Sequence, residues 1–146
     1  YAGLEVIHVK GATGLYDTNY EGKAEAALQA LMEGCDFVFL HIEASDEAGH
    51  EGDVALKVRT IENFDKRTVG VIREALQQWD EPVAIAVLPD HPTPCAIRTH
   101  TNTPVPFLVY KPGEEPDSVD HFDEFAVRNG KYDLLEKDEF IKLFLS

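Results

Sequence analysis

The chain is constrained most by an alternation of apolar, strand-like stretches with segments of helical periodicity. Four stretches have the β-branched and aromatic composition of strands, at residues 4–10, 36–42, 83–88 and 105–111. The stretch DFVFLHI at 36–42 is almost continuously apolar, which is typical of a strand covered on both faces. Strands that alternate with helices pair mainly in parallel. We therefore expect an α/β fold with a mostly parallel sheet and helices on both faces.

Helical patterns fill the segments between and after these strands. Residues 21–34 are rich in helix formers and end at Gly34, a favourable stop. From Asp53 to Trp79, apolar side chains recur at three- and four-residue spacing, which predicts one long helix packed on the core. Two shorter helices are expected over 123–129 and 137–145.

Charge and cysteine content narrow the range of partners and locations. The formal net charge is -14, from 27 acidic and 13 basic residues, which argues against nucleic acid and anionic membrane surfaces. No apolar run approaches the roughly 20 residues that a membrane span needs. Cys35 and Cys95 form no CxxC pair and no disulfide framework, which suits the cytoplasm. Cys35 precedes an apolar strand and is expected to be a core thiol.

Carboxylate and imidazole side chains gather where the predicted strands give way to loops. They form three clusters, namely Asp46 with His50 in SDEAGHEGD, Asp90 with His91 in LPDHPTP, and His100 in THTNTPVP. Strand ends of this kind collect ligands in open α/β sheets. Oxygen and nitrogen donors of these types bind ions such as Zn and Mn. Five donors are too many for one ordinary protein site and too few for two complete sites.

Each cluster taken alone also has a simpler interpretation. Asp46 and His50 share a face only if their segment makes a helical turn, and otherwise they belong to an acidic surface loop. Asp90 and His91 are adjacent, so on regular structure their side chains would point apart, as in an ordinary turn. His41 and Glu43, in the lead-in to the first cluster, are expected to orient ligands through hydrogen bonds. No nucleophile with an adjacent base stands out, so no catalytic residue is assigned.

The strings DFVFLHIEASDEAGHEGD, VLPDHPTP and THTNTPVPF, in this order, resemble metalloenzymes of the alkaline phosphatase superfamily. Within it, the chain is most similar to the archaeal-type branch of cofactor-independent phosphoglycerate mutases. The segment VKGATGLYDTNYEGKAEAAL also resembles that branch, so the resemblance covers nearly the whole chain. One departure is Leu88-Pro89 before Asp90, where family members often have a small or hydroxyl-bearing residue.

The resemblance implies an alkaline-phosphatase-like α/β/α sandwich that holds two divalent metal ions. Manganese is the expected ion, with zinc, magnesium or cobalt as alternatives. Asp46, His50 and His100 would bind one ion, and Asp90 and His91 would bind the other. In such enzymes the second ion also takes an early aspartate and the nucleophilic serine, and we find neither in these 146 residues.

The implied reaction is a step of glycolysis, the interconversion of 2- and 3-phosphoglycerate through a phosphoserine. Residues 1–146 would be a C-terminal portion of the metal-binding catalytic domain, without the nucleophile-bearing N-terminal part and the inserted domain. Such a portion is expected to be inactive alone. Its partners would be phosphoglycerate and the remainder of the parent chain, and an open sheet edge would allow self-association.

Three other interpretations stay open from the sequence. The chain could belong to another phosphatase or phosphomutase of the same superfamily, although its archaeal-type lead-in counts against this. It could be a non-catalytic metal-binding module, since a nucleophile is missing. It could also be an α/β domain whose polar strand ends are incidental, which the threefold placement of donors disfavours.

Overall fold

The computed structural model describes residues 3–146, and their contacts separate into two units. We call the first the helical unit, which contains the described residues up to Trp79 together with Thr93–Thr99. The second, the C-terminal unit, contains Asp80–Pro92 and His100–Ser146. The five predicted metal donors are therefore divided between the units, with two in the helical unit and three in the C-terminal unit.

Helix α1 of the helical unit spans Tyr20–Met32 and confirms the helix predicted over 21–34. It begins at Asn19, whose side chain accepts a hydrogen bond from the backbone N–H of Gly22 and so caps the first turn. Its buried face is made of one aromatic ring and three small side chains, namely Tyr20, Ala24, Ala27 and Ala30. Such small side chains let a neighbouring helix approach closely.

Helix α2 spans Ala44–Glu51, in the segment where the sequence left a loop or a helical turn open. It ends at Gly52, whose φ of 73° lies in the left-handed region that favours glycine. Asp53 follows directly, and its side chain accepts a hydrogen bond from the N–H of Leu56. A helix stop and a helix start thus stand side by side, and α2 packs against the helix that follows.

The predicted long helix is confirmed, with an irregularity in its middle. Helix α3 spans Val54–Phe64, a π-helical turn covers Asp65–Val69, and helix α4 spans Gly70–Leu76. The π turn and α4 both contact α1, so this part of the helix covers the small side chains of α1. A π turn inserts one extra residue and changes which side chains face inward.

The early part of that helix is not the buried core that its periodicity predicts. Val54, Val58 and Ile61 are each exposed by half or more of their surface. An apolar stripe selects a face of a helix, but burial needs a second layer over that face. The residues that the structure describes leave this stripe largely uncovered. Cys35 is also exposed, so the prediction of a core thiol is wrong.

The C-terminal unit contains a small sheet of two strands. Strand β1 spans Ile85–Val87 and pairs antiparallel with strand β2, Leu108–Tyr110, with Ala86 opposite Val109. Both strands lie inside predicted ones. Among residues 3–146, no strand is assigned over 4–10 or 36–42. The structure therefore does not confirm the mostly parallel sheet, since a strand exists only where a second backbone pairs with it.

The end of the chain packs around aromatic side chains. A 3-10 helix spans Ala126–Asn129 and helix α5 spans Glu139–Leu145, close to the two predicted closing helices. The ring of Phe107 meets the ring of Phe140 edge-on at 5.3 Å between centroids. Lys111, directly after β2, donates a hydrogen bond from Nζ to the carbonyl of Leu143 in α5 at 2.8 Å.

Across the described residues, no helix combines the length and apolarity needed to cross a bilayer.

Candidate metal centre

Helix α2 brings the first predicted donor pair together. Asp46 and His50 are four residues apart, so on a helix they lie on the same face. The Oδ2 atom of Asp46 is 3.3 Å from Nε2 of His50, and both side chains are partly buried. The helical alternative for this segment is therefore the one that the structure adopts.

The segment Thr93–Thr99 of the same unit contacts the other atoms of this pair. The hydroxyl of Thr93 donates a hydrogen bond to Oδ1 of Asp46, and Thr93 is only 3% exposed. The carbonyl oxygen of Arg98 lies 3.0 Å from Nδ1 of His50. Because a carbonyl only accepts, Nδ1 carries the proton in this contact. In the neutral ring, Nε2 is then left with its lone pair, as a metal ligand requires.

The C-terminal unit gathers the remaining three donors. Oδ2 of Asp90 is 3.3 Å from Nε2 of His91, while Oδ1 accepts a hydrogen bond from the backbone N–H of His91 at 3.0 Å. The pair follows the end of β1, in irregular backbone, so its side chains are free of the strand alternation that would separate them. The ring of His100 lies 3.7 Å from the ring of His91.

A backbone contact explains how His100 reaches His91 across eight intervening residues. The N–H of Thr101 donates a hydrogen bond to the carbonyl of Pro92 at 3.0 Å. This bond closes the loop between the two histidines. Because His91 precedes Pro92 and His100 precedes Thr101, it also brings the two histidines side by side.

His41 and Glu43 lie just before α2 and contact each other. Nδ1 of His41 is 3.5 Å from Oε1 of Glu43, and each side chain is about half exposed. Lys23 donates a hydrogen bond from Nζ to the carbonyl of His41 at 3.0 Å. Burial lowers the pKa of the Lys23 ammonium, while the nearby charge of Glu43 acts in the opposite direction. That His41 and Glu43 orient metal ligands stays a prediction.

Both carboxylate–imidazole pairs have the separation that a shared ion needs. Two donors that bind one divalent ion at about 2.1 Å each lie roughly 3–3.4 Å apart. The Asp46–His50 and Asp90–His91 atom pairs are both 3.3 Å apart. The donor types also suit divalent ions of the Zn and Mn kind. The residues present thus fit metal binding.

Sequence reasoning missed Thr93 and Arg98. Thr93 lies inside the string LPDHPTP, but nothing in its residue type distinguishes it from its neighbours. Arg98 acts through its carbonyl, a group that every residue has, so no residue pattern could have identified it. The one local sign is a backbone φ of 54° at Arg98, which only the structure shows.

Comparison with known proteins places these residues in a family. A sequence model of the Metalloenzyme superfamily matches residues 1–139. The chain is 50% identical over 146 residues to a 2,3-bisphosphoglycerate-independent phosphoglycerate mutase of Methanosarcina mazei. That match covers 99% of this chain and 36% of the relative. It is 49% identical over 130 residues to a probable enzyme of the same name from Geobacter sulfurreducens, with 88% and 32% covered.

A solved structure has a similar fold. The PH0037 protein from Pyrococcus horikoshii superimposes with a TM-score of 0.78 at 38% sequence identity, over 88% of this chain and 38% of that one. The chain thus spans about a third of the length of the proteins that it matches. All five donors fall inside the matched residues, and the family indicates use of divalent metal. The chain belongs to the Metalloenzyme superfamily.

Proposed function

We propose that the protein containing this chain is a 2,3-bisphosphoglycerate-independent phosphoglycerate mutase, which interconverts 2- and 3-phosphoglycerate in glycolysis. The observation that carries this proposal is the identity of 50% over 146 residues to relatives of that name. The family resemblance implies that residues 1–146 form a C-terminal portion of an alkaline-phosphatase-like catalytic domain. The match to only 36% of the length of those relatives supports a portion of a longer protein. We also propose a cytoplasmic location.

The metal ligands of this enzyme would form two groups. Asp46, His50 and His100 would bind one ion, and Asp90 with His91 would bind a second, as the family resemblance implies. The donor types, and the 3.3 Å separation within each carboxylate–imidazole pair, support metal binding by these residues.

The residues of this chain would hold and orient ions, and the nucleophilic serine would come from outside the 146 residues. A chain with a net charge of -14 does not attract a phosphate by itself. When bound, divalent ions supply the positive charge that stabilises phosphoryl transfer. Manganese is our expectation, and zinc, magnesium or cobalt suit the same donors. The tautomer that the Arg98 carbonyl imposes on His50 prepares Nε2 for this role.

The complete enzyme would also contain the mostly parallel sheet that the sequence predicts. Segments 4–10 and 36–42 would be strands of it, in an α/β/α sandwich with other parts of the protein. This proposal rests on their exposed apolar side chains, among them Leu4, Val6 and Phe39, of which Val6 is 73% exposed. Pairing with further strands would cover them.

The test is an assay of the protein expressed from its gene, with 3-phosphoglycerate and Mn²⁺, followed by ³¹P NMR. We expect conversion to 2-phosphoglycerate with little release of inorganic phosphate, loss of activity on chelation, and recovery on adding Mn²⁺. Asp46→Asn and Asp90→Asn should each lower kcat at least tenfold, because each removes a charged ligand. Release of phosphate as the main product would identify a phosphatase instead.

A further inference from the structure

We propose that the segment Thr93–Arg98, which we call the orienting loop, fixes the coordinating atoms of Asp46 and His50 before a metal ion binds. The inference concerns the site of the proposed function and rests on it. The residues of the orienting loop would not touch the ion. They would position the ligands Asp46 and His50, and each contact involved lies within the helical unit.

The first contact orients the carboxylate of Asp46. A carboxylate on a helix surface rotates readily about its terminal bond. Here the hydroxyl of Thr93 donates to Oδ1, which leaves Oδ2 as the oxygen that faces His50 at 3.3 Å. Because Thr93 is buried, water does not compete effectively for its hydroxyl. The contact therefore selects one carboxylate rotamer.

The second contact orients the imidazole of His50. The Arg98 carbonyl accepts the hydrogen bond from Nδ1 at 3.0 Å, which fixes both the tautomer and the plane of the ring. Arg98 has a φ of 54°, a region that residues with a Cβ rarely occupy. Strained backbone of this kind persists where the surroundings favour it, and it concentrates at functional sites.

The orienting loop is itself held in place by α2 and α3. Lys57 of α3 donates a hydrogen bond from Nζ to the carbonyl of Thr93 at 2.6 Å. Gly49 of α2 lies directly beneath that carbonyl, and a Cβ there would clash with the oxygen and lie 3.0 Å from Cγ2 of Thr93. The glycine between the two donors thus lets the loop reach them.

Removing a hydrogen-bond partner of a metal ligand commonly weakens metal affinity by about 10–100-fold. The experiment measures Mn²⁺ affinity by titration calorimetry in the protein expressed from its gene. Thr93→Val removes the hydroxyl, and we expect it to weaken the tightest site by about 10–100-fold. Thr93→Ser retains the hydroxyl and is expected to stay within about threefold of wild type. Wild-type affinity in the valine variant would overturn the proposal.

A second pair of variants covers the case in which Thr93→Val does not fold. Lys57→Met removes the donor to the loop, and Arg59→Met changes an exposed cation of the same helix as a matched control. We expect weaker Mn²⁺ binding in the first and wild-type binding in the second. Equal affinity of the two would overturn the proposal. A wild-type protein that binds Mn²⁺ but shows no mutase reaction would instead overturn the proposed function alone.

Discussion

Arg67 shows how one side chain couples two helices. Its Nε is 2.5 Å from Oε1 of Glu21 and its Nη2 is 2.8 Å from Oε2, which is a two-pronged ion pair. Its guanidinium also lies over the ring of Tyr20, 4.8 Å from the centroid. The next residue, Thr68, donates a hydrogen bond to the carbonyl of Tyr20 at 3.4 Å. These contacts join the π turn to the start of α1.

Arg67→Lys should lower the free energy of unfolding by about 1 kcal/mol, because an ammonium cannot make both parallel hydrogen bonds or stack as well on Tyr20. Arg73→Lys changes an exposed arginine of α4 and should stay within about 0.5 kcal/mol of wild type. Urea denaturation followed by circular dichroism measures both. Equal midpoints for the two variants would contradict a special role for Arg67.

The same pair predicts a dependence of stability on pH. The hydrogen bonds from Arg67 hold the pKa of the Glu21 carboxyl below its usual 4.5. A group whose pKa is lower in the folded state stabilises the fold above its unfolded pKa and loses this effect as the pH falls through its folded pKa. The stability difference between wild type and Glu21→Gln should therefore be constant at neutral pH and shrink below about pH 4.5.

The measurement compares urea unfolding of Glu21→Gln with that of Glu25→Gln between pH 7 and pH 3. Glu25 lies on the exposed side of α1 and is the matched control. A gap between wild type and Glu21→Gln that persists unchanged at pH 3 would contradict the pairing.

At the scale of elements, the helix over 21–34 was predicted from its composition and from the stop at Gly34, which has a φ of 98° in the structure. The sequence analysis did not single out Asn19 before α1 or Gly52 after α2, although both are ordinary capping residues in the positions that their chemistry favours. The π turn was not readable, because no residue type demands it. The antiparallel pairing of β1 with β2 was not readable either, because strand direction depends on which segments meet.

Asn19→Ala should destabilise the protein by about 1 kcal/mol, because the N–H of Gly22 loses its cap. The side-chain amide of Asn19 also donates to the carbonyl of Lys10 at 2.9 Å. Asn19→Asp keeps the cap and loses that second contact, so its stability should lie between alanine and wild type. The measurement is urea denaturation, with Asn102→Ala in an exposed loop as the control. If Asn102→Ala lowered the free energy of unfolding as much as Asn19→Ala, the capping role would be contradicted.

Gly49→Ala should destabilise the protein by about 1–3 kcal/mol, because its Cβ meets the backbone oxygen of Thr93, which cannot rotate away as a side chain can. Gly70→Ala in α4 is the matched control. Its Cβ would lie 3.3 Å from the Asp65 carbonyl, so we expect a change within about 1 kcal/mol. Thermal unfolding of both variants decides the matter, and equal losses would contradict the close approach of the loop.

For the whole molecule, the excess of acidic residues favours the binding of cations. The net charge is -14, and the neighbouring carboxylates of the proposed site add to a repulsion that bound cations would relieve. Mn²⁺ at 100 times its dissociation constant should raise the free energy of unfolding by about 2.7 kcal/mol. Differential scanning fluorimetry with Mn²⁺ and with chelator measures this shift. The same unfolding temperature in both would contradict metal binding by the folded protein.

The sequence by itself determined the donor chemistry and most helices. Five carboxylates and imidazoles are identified by residue type, and helical periodicity depends on residues three or four apart, so both are local properties. The tertiary structure decided what depends on distant residues. It decided which strands pair and in which direction, and that Thr93 and the Arg98 carbonyl meet Asp46 and His50. The two contacts to Asp46 and His50 join residues more than 40 positions apart, and no local pattern encodes them.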